Sequence, residues 1–378
     1  MKTTSSPRSC FDMKPLGIYV HIPFCVKKCG YCDFCSVTDF SLIKDYAVRL
    51  CADIRKAGET CGDYTVDTVY FGGGTPTCAG EELCGILEAI REAFAVTADA
   101  EISFEANPAT ADLALLRKLR EAGFNRLSVG IQSANENELK RLGRIHTFED
   151  AVRIVAEGRA AGFDDVGGDM MLGIPEQTPE SMKRTVCAFA ALGLDHISAY
   201  MLKIEPNTPF GRCVPTDLPD DDETAELYLS AVSLMKELGY GRYEISNFAK
   251  PGFECRHNMK YWSLGDYLGF GPTAHSCFEG RRTSVEGSVA DYAAGRAFKK
   301  DRGECGGFDE YIMLGLRTAD GISSATVRER YGLELKPNAV IRELEKRGYL
   351  KLGERITLTD SGILLSNAII TELTAAFD

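Results

Sequence analysis

No apolar run in this 378-residue chain approaches the roughly 20 residues that a membrane-crossing helix requires, so a spanning segment is not expected. The opening stretch, Met1 to Pro15, is polar and has no apolar core of the secretory-leader kind. A reducing cytoplasm is the expectation that follows. Basic charge is short as well: 43 Lys and Arg stand against 55 Asp and Glu, a formal charge of −12. Without a basic face, no nucleic-acid partner is expected. There is no repeat of solenoid length, no low-complexity tract, and only one tryptophan, Trp262.

Cysteine is not scarce. Fourteen occur in a chain with no secretory leader, where thiols stay reduced and a disulfide framework is not expected. Cys51, Cys61, Cys84, Cys187 and Cys213 are scattered and read as small, partly buried hydrophobes. Three others are spaced Cys25-x3-Cys29-x2-Cys32, just past the apolar run from Gly17 to Phe24. Three thiolates on one tight loop can hold three irons of a 4Fe–4S cubane and leave the fourth iron open to a ligand. The rival reading is a zinc site completed by Cys35 or His21.

Strand-length apolar runs alternate with amphipathic helical stretches from about residue 17 to about 250. The expected strands are Ile18–Ile22, Thr68–Phe71, Glu101–Glu105, Leu127–Ile131, Asp169–Leu172, Ile197–Leu202 and Tyr243–Ser246. Between them fall helices over Ser41–Ala57, Ala79–Phe94, Thr110–Ala122, Thr147–Ala161, Thr178–Ala191 and Asp221–Leu238. Such repetition implies an α/β fold with a parallel sheet, open or closed into a barrel, and helices outside it. Gly123, Gly162, Gly193 and Gly239 fit C-terminal helix caps.

The pattern then changes. Residues 250–305 form a connecting segment rich in Gly, His and aromatics, and 306–378 read as a winged-helix-like domain. That last segment has nine Lys and Arg against eleven Asp and Glu, which argues for a packing or lid role over DNA binding. The expected division is a tail over 1–16, a barrel over 17–249, then these two segments.

Phe71-Gly-Gly-Gly-Thr-Pro76 follows the second expected strand, and its glycines let backbone approach a ligand closely. Glu105, Gln132, Asp169 and Tyr200 fall near the carboxyl ends of successive strands, the edge where parallel sheets and barrels bind ligands. One such residue would more often be a structural hydrogen bond, whereas several on one edge favour a site.

Together the cysteine spacing and Gly72-Gly-Gly-Thr-Pro76 resemble the radical S-adenosylmethionine (SAM) superfamily. His21-Ile-Pro-Phe-Cys25, Tyr31-Cys-Asp-Phe34 and Leu172-Gly-Ile-Pro-Glu-Gln-Thr178 resemble its branch of oxygen-independent coproporphyrinogen III oxidases and HemW-type haem chaperones. The resemblance implies a partial (β/α)6 barrel in which Cys25, Cys29 and Cys32 hold the cluster and Tyr19 and Tyr31 flank the cofactor. It implies that Gly73, Gly74 and Thr75 meet the amino-acid end of SAM, and that Glu105, Gln132, Arg144 and Asp169 supply further contacts. From the residues alone, Arg144 reads as an exposed structural arginine.

Within that branch the oxidases resemble Cys-x3-Cys-x2-Cys-x-Cys, but position 34 here is Phe, and Cys35 lies one residue too far along. Only 24 residues precede Cys25, leaving little room for the longer leading segment of the oxidases. His257-Asn-Met-Lys-Tyr-Trp262 matches the chaperones' His-Asn-x-x-Tyr-Trp string, which implies a part for His257 in haem handling, with Cys255, His275 and Cys277 as rivals. Read bottom-up, a lone histidine beside aromatics is more often a hydrogen-bonded structural residue. The expected cofactors are a 4Fe–4S cluster, SAM and haem. The expected partners are a haem-acceptor protein, such as a membrane-associated respiratory enzyme, and an electron donor if SAM is cleaved. Oxidative decarboxylation of coproporphyrinogen III is the alternative activity.

Overall fold

A computed structural model describes residues 13–377. Six strands run parallel and in chain order: β1 (Lys14–Ile22), β2 (Tyr64–Gly73), β3 (Ala95–Ala106), β4 (Arg126–Gln132), β5 (Asp165–Leu172) and β6 (His196–Met201). Helices α1 (Ile43–Gly58), α2 (Glu82–Ala93), α3 (Leu113–Ala122), α4 (Glu136–Leu142), α5 (Phe148–Ala160) and α6 (Pro179–Ala191) lie in the crossovers. Ile18, Val69, Phe104, Leu127 and Val166 point into the buried layer beneath these helices. The alternate positions face the concave side and are polar: Tyr19, Tyr70, Glu105, Ser128, Asp169 and Tyr200. Period-2 alternation thus builds a dry outer layer and a polar lumen.

The expected parallel sheet is present, and it is open. Its order is β12-β11-β10-β9-β1-β2-β3-β4-β5-β6-β8-β7. The short helix α7 (Pro209–Arg212) and α8 (Asp221–Glu237) lead into β7 (Gly241–Arg242) and β8 (Asn247–Ala249). The strand expected over Tyr243–Ser246 is instead the turn between these two, where buried Glu244 accepts from Ser246 N–H and Asn247 Nδ2. The expected 1–16 tail also ends early: β1 starts at Lys14 because Leu16 is buried, while residues 1–12 lie outside the described part. Gly123, Gly162, Gly193 and Gly239 all have positive φ, between +72° and +103°, as C-caps require.

Helix α9 (Arg256–Trp262) precedes β9 (Tyr267–Phe270), which adds parallel to β1, and then β10 (His275–Phe278), β11 (Arg281–Glu286) and, after α10 (Val289–Ala293), β12 (Phe298–Glu304). The connecting segment is therefore a continuation of the sheet. One disulfide, Cys277–Cys305, ties β10 to the end of β12, where the meander brings sulfurs 28 residues apart together. No other is present among the described residues.

The final segment comprises α11 (Phe308–Gly315), β13 (Ile322–Ser323), α12 (Ser324–Tyr331), α13 (Ala339–Lys346), β14 (Leu350–Lys351), β15 (Arg355–Leu358), α14 (Asp360–Leu364) and α15 (Ser366–Thr374). Its three-stranded sheet is ordered β13-β15-β14, and the arrangement is winged-helix-like. This segment touches both flanks of the open sheet, through Arg242–Asp360 at one and Arg282–Glu310 at the other. No helix among the described residues is long and apolar enough to cross a membrane.

Candidate cluster and cofactor site

At the carboxyl end of β1 the chain turns into the cysteine loop. Cys25 N–H donates to Val37 O (3.0 Å) and Val37 N–H to Pro23 O (2.8 Å), so the loop closes on its own stem. Gly30 N–H donates to Leu142 O and Phe210 N–H to Gly30 O, which fastens its far side to α4 and α7. Burial pushes the Cys32 thiol up, with a further push from the sulfurs of Cys29 and Cys25. All three thiols are free. Nowhere among the described residues do three His, Cys, Asp or Glu converge closely enough for a single metal ion. A cubane needs less convergence, because each thiolate binds its own iron. His21 is also committed elsewhere, to the Tyr19 hydroxyl at 3.0 Å and Cys35 O at 2.9 Å, which weakens the zinc alternative.

The glycine-rich loop leaves β2 beside that stem. Gly74 N–H donates to Ile22 O (2.9 Å) and Thr75 N–H to Phe24 O (2.8 Å). The Cys25 sulfur lies 3.6 Å from Thr75 Oγ1. A Cβ on Gly74 would sit 2.9 Å from Phe24 backbone and 3.1 Å from the Cys25 sulfur, so only glycine permits this approach. Gly73 has φ +114°, and a Cβ there would meet the His21 ring at 2.6 Å. These glycines make a cradle whose polar backbone borders the cysteine loop.

The residues expected around SAM converge on the same edge. Glu105 accepts from the Tyr70 hydroxyl (3.0 Å) and from Gly73 N–H (3.3 Å). Burial, then the nearby Asp169 carboxyl, pushes Glu105 up to about 8. Asp169 is raised by burial too, though the Ser198 and Ser128 hydroxyls oppose the shift. Gln132 is buried with φ +69°, the left-handed region that non-glycine residues rarely adopt. Arg144 is not on the surface as a structural reading would have it. Its Nη1 donates to the Cys29 sulfur at 3.5 Å and its Nη2 to Gly130 O at 2.6 Å, and Nε is buried without a partner. Tyr31 packs with Leu202 and Phe210 against Leu142 and Met171. A cationic sulfonium with ammonium and carboxylate groups fits this donor set: two neighbouring carboxyls, both raised by burial, and an arginine whose buried Nε has a spare N–H.

His257 lies elsewhere. Helix α9 crosses the amino edge of the strands and closes the base of the barrel, not its mouth. Glu101 accepts from the N–H groups of Arg256 (2.8 Å) and His257 (3.0 Å) and from the Cys255 thiol, while Lys260 pairs with Asp67 at 2.8 Å. The His257 ring is fully buried, with Nδ1 2.9 Å from Thr68 Oγ1 and Nε2 2.7 Å from the Tyr261 hydroxyl. Burial, then Lys260 and Arg126, push it down to about 3, so it is neutral. Both ring nitrogens are engaged in either tautomer, so the geometry presents no lone pair to haem iron. The structural reading of this histidine is the one the contacts match. Cys255 is buried, Cys277 is bonded to Cys305, and His275 is exposed at the start of β10.

Tyr70, Thr68 and Glu101 were not apparent as site residues. The available signal was positional: Thr68 and Tyr70 share the inward face of β2 with Gly72, and Glu101 shares that of β3 with Glu105.

Three free cysteines after β1, a glycine cradle after β2 and an open six-stranded parallel barrel define a radical SAM protein. The family model "Radical SAM superfamily" matches residues 19–186, and "HemN C-terminal domain" matches 309–365. The solved structure of coproporphyrinogen III oxidase HemN from Escherichia coli superposes with a TM-score of 0.82 at 24% identity, covering 96% of this chain and 90% of that one; at that identity the likeness speaks to fold. The heme chaperone HemW of Mycobacterium tuberculosis H37Rv is 35% identical over 377 residues, 95% of each chain. That of Escherichia coli K12 is 39% identical over 280 residues, 73% of each. The chain belongs to the HemW family.

Proposed function

We propose that this protein is a cytoplasmic haem chaperone that binds a 4Fe–4S cluster, SAM and haem and passes haem to an acceptor protein. The observation that carries the reading is the end-to-end similarity to heme chaperone HemW of Mycobacterium tuberculosis, over 95% of both chains. Phe34 supports it, standing where the oxidase pattern has a fourth cysteine. Cys25, Cys29 and Cys32 would hold the cluster. Gly73, Gly74, Thr75, Glu105, Gln132, Arg144 and Asp169, flanked by Tyr19 and Tyr31, would hold SAM. A reduced cluster supplies an electron that can cleave a bound sulfonium, so an electron donor is a partner only if cleavage occurs. The protein's own part is to orient and enclose: Arg144 offers a free N–H, and Glu105 offers, beside Asp169, a carboxyl that a cation would ionise. The acceptor we have in mind is a haem enzyme such as a membrane-associated respiratory complex; nucleic acid is not a partner. The functional division we propose keeps a barrel to 249, a sheet extension to 305, and a C-terminal domain.

The test is anaerobic reconstitution of the cluster, followed by parallel assays of haem binding and of coproporphyrinogen III conversion with SAM and a reductant. Stable haem binding without turnover is expected. Robust formation of protoporphyrinogen would replace the chaperone reading with the oxidase.

A further inference from the structure

The histidine of the His-Asn-x-x-Tyr-Trp string is buried away from the cysteine loop, yet it is not remote from the lumen. Its ring lies against Tyr70, with centroids 5.4 Å apart and planes 24° from parallel. Tyr70 also stacks on Tyr19 at 6.5 Å and 20°. Tyr70 thus has two nearly parallel rings packed against it. Each outer ring is itself fixed: Tyr19 by His21, and His257 by Thr68 and Tyr261. The phenol so held donates to Glu105 Oε1 at 3.0 Å, and Glu105 Oε2 accepts from Gly73 N–H at 3.3 Å. A continuous line of contacts runs from the base helix to the glycine cradle.

We propose that His257 is a positioning residue for Glu105, acting through Tyr70, and not a haem ligand. The proposal rests on the reading that Glu105 belongs to the SAM site. Two physical points favour it over iron ligation. Ligation would require a fully buried ring to leave one of two hydrogen bonds and its stacking partner, exposing Thr68 or Tyr261 unpaired. Positioning requires no movement. A neutral imidazole with both nitrogens satisfied is a flat, rigid wall, and two such rings against Tyr70 restrict the ring motion that would let its hydroxyl wander. The carboxyl held at its end is the group least able to hold itself, because the neighbouring Asp169 repels it.

A double-mutant cycle on the reconstituted full-length protein decides the matter. SAM affinity is measured calorimetrically for the wild type, Tyr70→Phe, His257→Gln, Tyr261→Phe and Glu105→Gln, and for each of the other three substitutions combined with Glu105→Gln. Haem spectra and melting temperatures are recorded for all. Tyr70→Phe should weaken SAM about tenfold, the effect of losing one hydrogen bond to a charged acceptor, and His257→Gln by a comparable factor. Neither should weaken it further once Glu105 is Gln, and haem spectra should be unchanged throughout. Losses that persist undiminished in the Glu105→Gln background would overturn the proposal, as would unchanged SAM affinity in Tyr70→Phe and His257→Gln. An altered haem spectrum in His257→Gln would overturn it in favour of iron ligation. Should His257→Gln fail to fold, Tyr261→Phe still perturbs the imidazole while leaving it in place, and unchanged SAM affinity there would count against the proposal. A wild-type protein that binds no SAM is a separate result: it removes the SAM reading itself, and this proposal with it.

Discussion

The protonation of Glu105 predicts how SAM affinity depends on pH. With its pKa near 8, this carboxyl is about nine-tenths protonated at pH 7 in the free protein. A bound sulfonium brings a positive charge to the pocket shared with Asp169 and returns Glu105 toward the ordinary carboxylate range, so binding expels a proton. The sign follows: affinity rises with pH below 8 and levels off above it. If the bound-state pKa lies well below 6, the gain between pH 6 and 8 is about fiftyfold. Calorimetry in buffers of different ionisation enthalpy should show about 0.9 proton released at pH 7 on this account. The ammonium group of SAM titrates nearby, so the decisive quantity is the difference between wild type and Glu105→Gln, which lacks the ionisable carboxyl. Equal proton release in the two, or an affinity that falls as pH rises, would refute the reasoning.

Gly73→Ala should abolish SAM binding and cost about 1–3 kcal/mol in a urea titration, because φ is +114° and the new methyl meets His21. Glu101→Gln turns into an NH2 donor one of the two carboxylate oxygens that accept from three donors at the start of α9. It should destabilise the protein by about 1–3 kcal/mol and shift the emission of Trp262, the only tryptophan and the last residue of that helix. Replacing Cys25, Cys29 or Cys32 with Ala should each deplete bound iron and sulfide after reconstitution. Cys35→Ala should leave both intact, and equal depletion there would reopen the question of which thiols bind the cluster.

The barrel was legible in the sequence because its two faces differ so sharply. Ile18, Phe71 and Leu127 need a dry layer, and Tyr19, Glu105 and Asp169 between them need partners, so period 2 marked both strands and lumen. The cysteine loop and the glycine cradle were legible for a local reason: each is a short segment in which spacing alone constrains geometry. What was hidden depends on contacts between distant segments. Nothing local in His257-Asn-Met-Lys-Tyr-Trp262 says that Glu101, more than 150 residues earlier, will anchor it at the base of the barrel. Helix α4 is a short helix of seven residues, with little room for periodicity to show itself. The Tyr243–Ser246 stretch has the strand formers Tyr243 and Ile245, but buried Glu244 bends it by accepting from residues two and three ahead. Cys277 and Cys305 meet only because β10–β12 form a meander.

Two hydrogen bonds described above couple the glycine cradle to the cysteine loop. Gly74 N–H and Thr75 N–H are both held by carbonyls of the stem that ends in Cys25. Whatever slackens that stem slackens the cradle, and a metal cluster held at Cys25 would tighten both at once. An apoprotein would then greet SAM with a loose cradle, and the filled form with a rigid one, so that nucleoside affinity becomes a gauge of cluster occupancy. In a cell short of iron, the same stitching would keep the protein from sequestering SAM it has no means to use.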